Sequence, residues 1–244
     1  MKKISVTFML CLCFLVTNIL AQDTLKPFNN RWGTELNFNP FNGSFSLNNA
    51  AGQIKLRKFL PNNNALRLAF TVNYLQDNSK QDNAYGTTPI HNQSIRRSFL
   101  ISLNAGSEKH FGGSKRISPY LGYDIGLGIK KSGASERTNT SYKKIKGAWE
   151  DLNYVNPQYP YYYTEFTQRA YWSIGLNLVS GVDIYITKDF YLGYELAVGL
   201  DYINYNNIEV IQGSSQSQVY PDLDDEDWKF GPKLLNGIRI GYIF

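Results

Sequence analysis

The sequence predicts an all-β fold, an eight-stranded antiparallel up-and-down transmembrane β-barrel, on three observations. Segments in which apolar and polar residues alternate with a period of two recur from Trp32 onward. Short and long connections between these segments take turns along the chain. The opening residues read as an export signal.

That signal has three parts: the basic start Met1-Lys2-Lys3, the apolar run Ile4 to Leu20, and the small residue of Ala21-Gln22 before the cut. Cleavage is expected after Ala21, making residues 1–21 a signal peptide, 22–31 a short periplasmic tail and 32–244 the barrel domain. A transmembrane anchor fits less well. Ser5, Thr7, Thr17 and Asn18 leave the apolar middle short for a bilayer of about 30 Å, and no basic stop-transfer cluster follows. Leu10 and Leu12 precede Cys11 and Cys13, where a lipoprotein signal needs a small residue. Both cysteines lie in this leader, so disulfides and thiolate metal sites are excluded from the mature chain. Losing Lys2 and Lys3 lowers the formal net charge from +5 to about +3, too little to suggest nucleic acid. Tyr, at 18, leads the aromatics, and no apolar run after residue 21 has the length of a spanning helix. Barrels are prominent among exported chains of this kind.

In the first segment Trp32, Thr34, Leu36 and Phe38 face one side, with Glu35, Asn37 and Asn39 on the other. In the second, Ile54 and Leu56 alternate with Gln53, Lys55 and Arg57. The turn Pro61 to Ala65 then closes a hairpin onto Leu66, Leu68, Phe70, Val72 and Tyr74, whose partners are Arg67, Ala69, Thr71 and Asn73. After a polar loop from Asp77 to Ser94, Phe99, Ile101, Leu103 and Ala105 oppose Ser98, Ser102 and Asn104, with Leu100 breaking the pattern. A turn around Gly112-Gly113-Ser114 leads to Leu121, Tyr123, Ile125, Leu127 and Ile129 against Gly122, Asp124, Gly126 and Gly128.

A long segment, Lys131 to Tyr163, precedes the sixth strand, where Trp172, Ile174, Leu176 and Leu178 oppose Arg169, Tyr171, Ser173, Gly175 and Asn177 and the alternation continues through Val182, Asp183 and Ile184. The turn Thr187 to Asp189 reverses the chain into a seventh, with Phe190 through Tyr202 alternating against Tyr191, Gly193, Glu195, Ala197, Gly199 and Asp201. Asn206 to Lys229 forms a further long loop before the eighth strand, Leu234 to Phe244. The second, fourth and sixth connections are short, while the third, fifth and seventh are long. This places short turns and termini at one rim and long loops at the other.

Alternation alone does not say which face is inside, since a soluble barrel would turn the apolar residues inward. Two features favour apolar-out: repeated glycine on the polar face, suited to a crowded interior, and aromatics near strand ends on the apolar face, suited to interfacial girdles. The inward set is then Glu35, Lys55, Arg57, Arg67, Asp124, Arg169, Asp183, Glu195, Asp201 and Arg239. An eight-stranded barrel has room for side chains alone, so these charges are expected to pair into a plug. A narrow ion or proton path along the same ladder is the alternative.

Other constellations are weaker. His91 with Ser94 is the candidate for a hydrolytic couple, but no acid neighbours it in the sequence; His110 falls at an inner turn. No redox-metal cluster or cofactor motif is present. The run Asp222, Asp224, Asp225, Glu226 and Asp227 offers carboxylates to a divalent cation or to lipopolysaccharide, without the glycine and spacing of an EF-hand. Lys130, Lys131, Arg137, Lys143, Lys144 and Lys146 gather at the long-loop rim, where lipid phosphates would lie. Tyr154, Tyr159, Tyr161, Tyr162, Tyr163 and Phe166 form an aromatic patch able to present a protein- or glycan-binding surface.

The closing strand puts Ile238, Ile240, Tyr242 and Phe244 on one face, with Gly237, Arg239 and Gly241 between them. It resembles the closing strand and C-terminal aromatic signal, here Ile240, Tyr242 and Phe244, that the barrel-assembly machinery of Gram-negative bacteria reads. With the export signal, strand count and loop asymmetry, the chain resembles the small outer-membrane β-barrel family that includes the OmpA transmembrane domain, OmpX and OmpW. The resemblance implies outer-membrane lipids and lipopolysaccharide as surroundings, the assembly machinery as a partner in biogenesis, and a structural or adhesion-like role for the exposed loops. It also implies, as alternatives, a small channel or, more remotely, a lipid A modifying enzyme; no catalytic motif carries over.

Overall fold

The computed structural model describes residues 25–38, 54–83, 90–112, 114–154, 162–213, 218–220, 226–233 and 238–244. The expected leader, residues 22–24 of the expected tail, and Asp222, Asp224 and Asp225 lie outside them. In chain order the strands are β1 (Trp32–Phe38), β2 (Ile54–Leu60), β3 (Asn64–Asn83), β4 (Ile90–His110), β5 (Ile117–Arg137), β6 (Tyr142–Lys146) and β7 (Trp149–Tyr154). They continue as β8 (Tyr162–Thr167), β9 (Tyr171–Tyr185), β10 (Phe190–Tyr205), β11 (Ile208–Gln212), β12 (Gln218–Tyr220), β13 (Glu226–Lys233) and β14 (Ile238–Ile243).

The fold is all-β and antiparallel. Eight strands pair in a closed ring, β1–β2–β3–β4–β5–β9–β10–β14 and back to β1. Closure joins Trp32 to Phe244, each backbone N–H donating to the other's carbonyl at 3.1 and 2.8 Å. β13 extends the eighth position, pairing with β10 beyond the reach of β14. The turn 61–63, residues 111–112 and 114–116, and the turn 186–189 lie at the rim that holds Trp32 and Phe244. The tightest uses Asn62 and Asn63 at φ 66° and 58°, left-handed angles that asparagine tolerates better than most residues.

The ring turns its apolar face outward. Leu178 is 63 % exposed while Asp183, on the opposite face of the same strand, is fully buried. Leu66, Leu68, Val72, Ile101, Leu103, Ile125, Leu127, Ile174, Leu176, Leu196 and Val198 all stand exposed on the outside. The alternation read in the sequence is therefore the pleat of each ring strand, and Leu100, the lapse, points inward half-buried.

Beyond the long-loop rim the structure departs from the sequence reading. The spans expected as polar loops hold strands: β3 and β4 continue to Asn83 and from Ile90, and β5 runs to Arg137. β6, β11 and β12 then join β5 to prolong the sheet past the ring. The separate hairpin β7–β8 covers its inner face over a core of Ala134, Ile145, Ala148, Ile208 and Val210, flanked by Trp149 and Phe166. These strands are short and their apolar residues few, so local alternation is faint and the burial that stabilises them is tertiary.

Candidate functional site

The inward residues nearest the short-turn rim build one buried ion cluster. Lys55, Arg57, Arg67 and Arg239 face Glu35, Glu108, Asp124, Asp183 and Glu195, all nine buried. Arg57, on β2, reaches across the ring: Nη1 donates to Asp183 Oδ2 at 2.7 Å and to Tyr191 Oη at 3.3 Å, and Nη2 binds Glu108. Arg239, on β14, holds Glu35 at 2.8 Å and Asp183 at 2.9 Å. Arg67, on β3, forks onto Glu195 at 2.8 and 3.2 Å and onto Glu108 at 3.1 Å, with Nε 3.3 Å from Asp124. Lys55 adds a bond to Glu195 at 3.0 Å, and the Tyr120 hydroxyl donates to the same carboxylate at 2.6 Å. Planar forks make this possible, because each guanidinium can bridge acids on different strands.

Aromatic rings cap the cluster toward the rim. The Arg57 guanidinium sits 5.0 Å from the Phe59 ring centre and 5.1 Å from that of Tyr120, within cation–π range. Phe59, Ala65, Tyr185, Tyr191 and Ile243 form a buried apolar floor, with Leu25 and Phe28 packed against it. Residues 25–28 of the expected tail thus fold against the mouth of the ring, Phe28 edge-on to Phe59 at 5.8 Å and to His110 at 4.9 Å. Gly241 lacks a side chain where the Tyr191 ring lies; a methyl there would overlap the ring, so Tyr191 can cross the lumen only over glycine.

Eight of the ten charges named for the inward set therefore meet: Glu35, Lys55, Arg57, Arg67, Asp124, Asp183, Glu195 and Arg239. Arg169 and Asp201 do not. Arg169 precedes β9 at the far rim and lies over the Tyr205 ring at 4.6 Å, and Asp201 faces Gly175 higher in the lumen, away from the cluster. Parity placed them on the right face but says nothing of height along the ring. Glu108 and His110 join instead. His110, expected at an inner turn, is the last residue of β4, and continuing the alternation from Ser102 and Asn104 through Gly106 reaches both.

His110 is not a turn residue but a buried one. Its Nε2 is 3.1 Å from Arg57 Nη2, which can only donate, and 3.2 Å from Glu108, while Nδ1 is 2.9 Å from Ser118 Oγ. A neutral ring that accepts from Arg57 and donates from Nδ1 to Ser118 satisfies two of these three contacts.

The exposed candidates separate. His91 gains an acid, Asp82, across the β3–β4 hairpin at 2.7 Å, which the sequence spacing did not reveal. Ser94, three residues on along the same strand, projects from the opposite face and cannot serve it. Of the acidic run, Glu226 and Asp227 begin β13, and Asp227 accepts from Tyr205 at 3.1 Å. Ile240, Tyr242 and Phe244 lie exposed on the outer face of the closing strand's end. Of the tyrosine patch, Tyr154, Tyr162, Tyr163 and Phe166 fall in β7 and β8, and Tyr159 and Tyr161 lie outside the described residues. No helix among the described residues is long and apolar enough to cross a membrane, which does not bear on crossing by strands. Neither a protein-family model nor a curated protein sequence matches the chain.

Proposed function

We infer that the chain is an integral outer-membrane β-barrel with a sealed lumen, whose role is structural or surface-interacting through the sheet that extends beyond the ring. One observation carries this reading: the ring buries its charges and exposes its apolar side chains all the way round. In water that arrangement would be costly, since apolar surface of this extent would associate. In a bilayer the exterior is solvated by acyl chains, and pairing of β1 with β14 closes the ring on itself at the Trp32–Phe244 end. The aromatic residues Trp32, Phe190, Tyr242 and Phe244 near one rim and Tyr74, Phe99 and Trp172 toward the other support an interfacial girdle at each end.

The ion cluster favours the sealed barrel over a channel. It bridges β1, β2, β3, β4, β5, β9, β10 and β14, leaving side chains where a pore would run. The test of the architecture is membrane fractionation with a heat-modifiability gel: an outer-membrane band that migrates differently before and after boiling is expected. A purified mature chain that stays monomeric and folded without detergent would refute the reading.

A further inference from the structure

We propose that the outer face of the β4–β5–β6 sheet, just above the apolar belt, binds a lipid whose headgroup carries two phosphates. This rests on the membrane-barrel reading. A groove opens there at Gly133, flanked across the strands by Arg97 and Lys146. The next row away from the ring is Ile95, Ser135 and Lys144; the row toward it is Tyr74, Phe99 and Lys131. One step further lies the apolar row Val72, Ile101, Ile129 and Trp172.

Side chains that alternate place these cations outward together, while Lys130 and Lys143 turn to the other face, toward Gln168 and Glu150. The inner face of the sheet is covered by β7–β8, so the outer one is open. Lys146 is paired to Glu209 at 2.8 Å, whereas Arg97, Lys131 and Lys144 point into the groove without an acid beside them among the described residues. Strands spaced about 4.8 Å apart with about 6.8 Å between alternate residues spread these charges over roughly 10 by 14 Å, wider than one phosphate. Arginine offers a fork and lysine a point charge to phosphate oxygens, and Phe99, Ile101 and Trp172 below offer a track for acyl chains. Charge above grease, in that order along the strands, matches an anionic lipid standing in the outer leaflet.

The test uses the full mature chain refolded into phosphatidylcholine vesicles with and without bisphosphorylated lipid A, and counts retained lipid by native mass spectrometry after detergent exchange. Retention of lipid A is expected, with roughly fivefold weaker binding for each charge removed and on the order of a hundredfold for the triple variant Arg97→Gln, Lys131→Gln, Lys144→Gln. Lys131→Gln alone gives the single step should the triple variant fold poorly. The control Lys109→Gln, Lys115→Gln at the opposite rim leaves retention unchanged. Equal losses in both variants, displacement by inorganic phosphate at equal concentration, or no retention by the wild type would each overturn the site while the membrane reading stands. Failure of the wild type to insert into the neutral vesicles overturns the barrel reading and the site with it.

Discussion

Arg57 is the side chain on which most of the buried charges depend. It is fully buried and meets Glu108, Asp183 and Tyr191 directly, with Glu35 3.7 Å from its Nε. Replacing it with alanine leaves those acids desolvated with a counter-charge removed, a change that typically costs about 3–5 kcal/mol. We expect Arg57→Ala to lower the urea midpoint of the refolded chain by that weight, and Arg57→Lys to recover only part, because an ammonium cannot fork between Asp183 and Glu108. Leu127→Ala, on the exposed outer face, should cost much less; equal losses would show that the cluster is not what holds the interior together. Most of this cluster was legible from parity alone. Glu35, Arg57, Asp183 and Arg239 announce themselves as charges alternating with apolar residues. Glu108 and His110 were obscured because Ser107 and the glycines after His110 look like a turn, and the strand outruns them.

At the scale of elements, the β7–β8 hairpin is held by a partly exposed polar clasp. The Thr167 hydroxyl donates to Asp151 at 2.6 Å and Arg96 pairs with its other oxygen, which together hold the Asp151 carboxyl below its ordinary range against the opposing effect of partial burial. A carboxylate whose value is depressed on folding stabilises above its unfolded pKa, and that contribution is lost as pH falls through the folded one. The protection against hydrogen exchange across residues 149–154 and 162–167, taken against the intrinsic rate at each pH, should therefore fall as the medium is acidified below about pH 4, by roughly two- to fivefold, the weight of one such pair in solvent. Asp151→Asn should show the faster exchange at neutral pH and lose the acid dependence; an unchanged acid response would assign it to another group. No alternation of useful length advertised this hairpin. Lys131 to Tyr163 reads as a basic, tyrosine-rich loop because its order comes from Ala134, Ile145 and Ala148 meeting Ile208 and Val210, residues far away in the chain.

For the whole molecule, the question is whether anything passes through it. Two barriers stand in series at the short-turn end: the ion cluster across the ring, and the floor of Phe59, Tyr185, Tyr191 and Ile243 closed by Phe28. The small inward residues Gly126, Gly128, Ser173 and Gly175 above them fill little space, so the resistance lies in the cluster. In planar bilayers the wild-type chain should be silent across many insertions, and Phe28→Ala should stay silent because it removes only the outer barrier. The double variant Phe28→Ala, Arg67→Ala should differ, because it opens both barriers. It withdraws the guanidinium shared by Glu108, Asp124 and Glu195, leaving acids in excess of bases in a widened lumen, and brief cation-selective steps are expected. Conductance by the wild type would mean that the charged ladder is a path and not a plug. Silence in the double variant with wild-type folding would mean that the rest of the floor, Phe59, Tyr185, Tyr191 and Ile243, suffices to seal the ring.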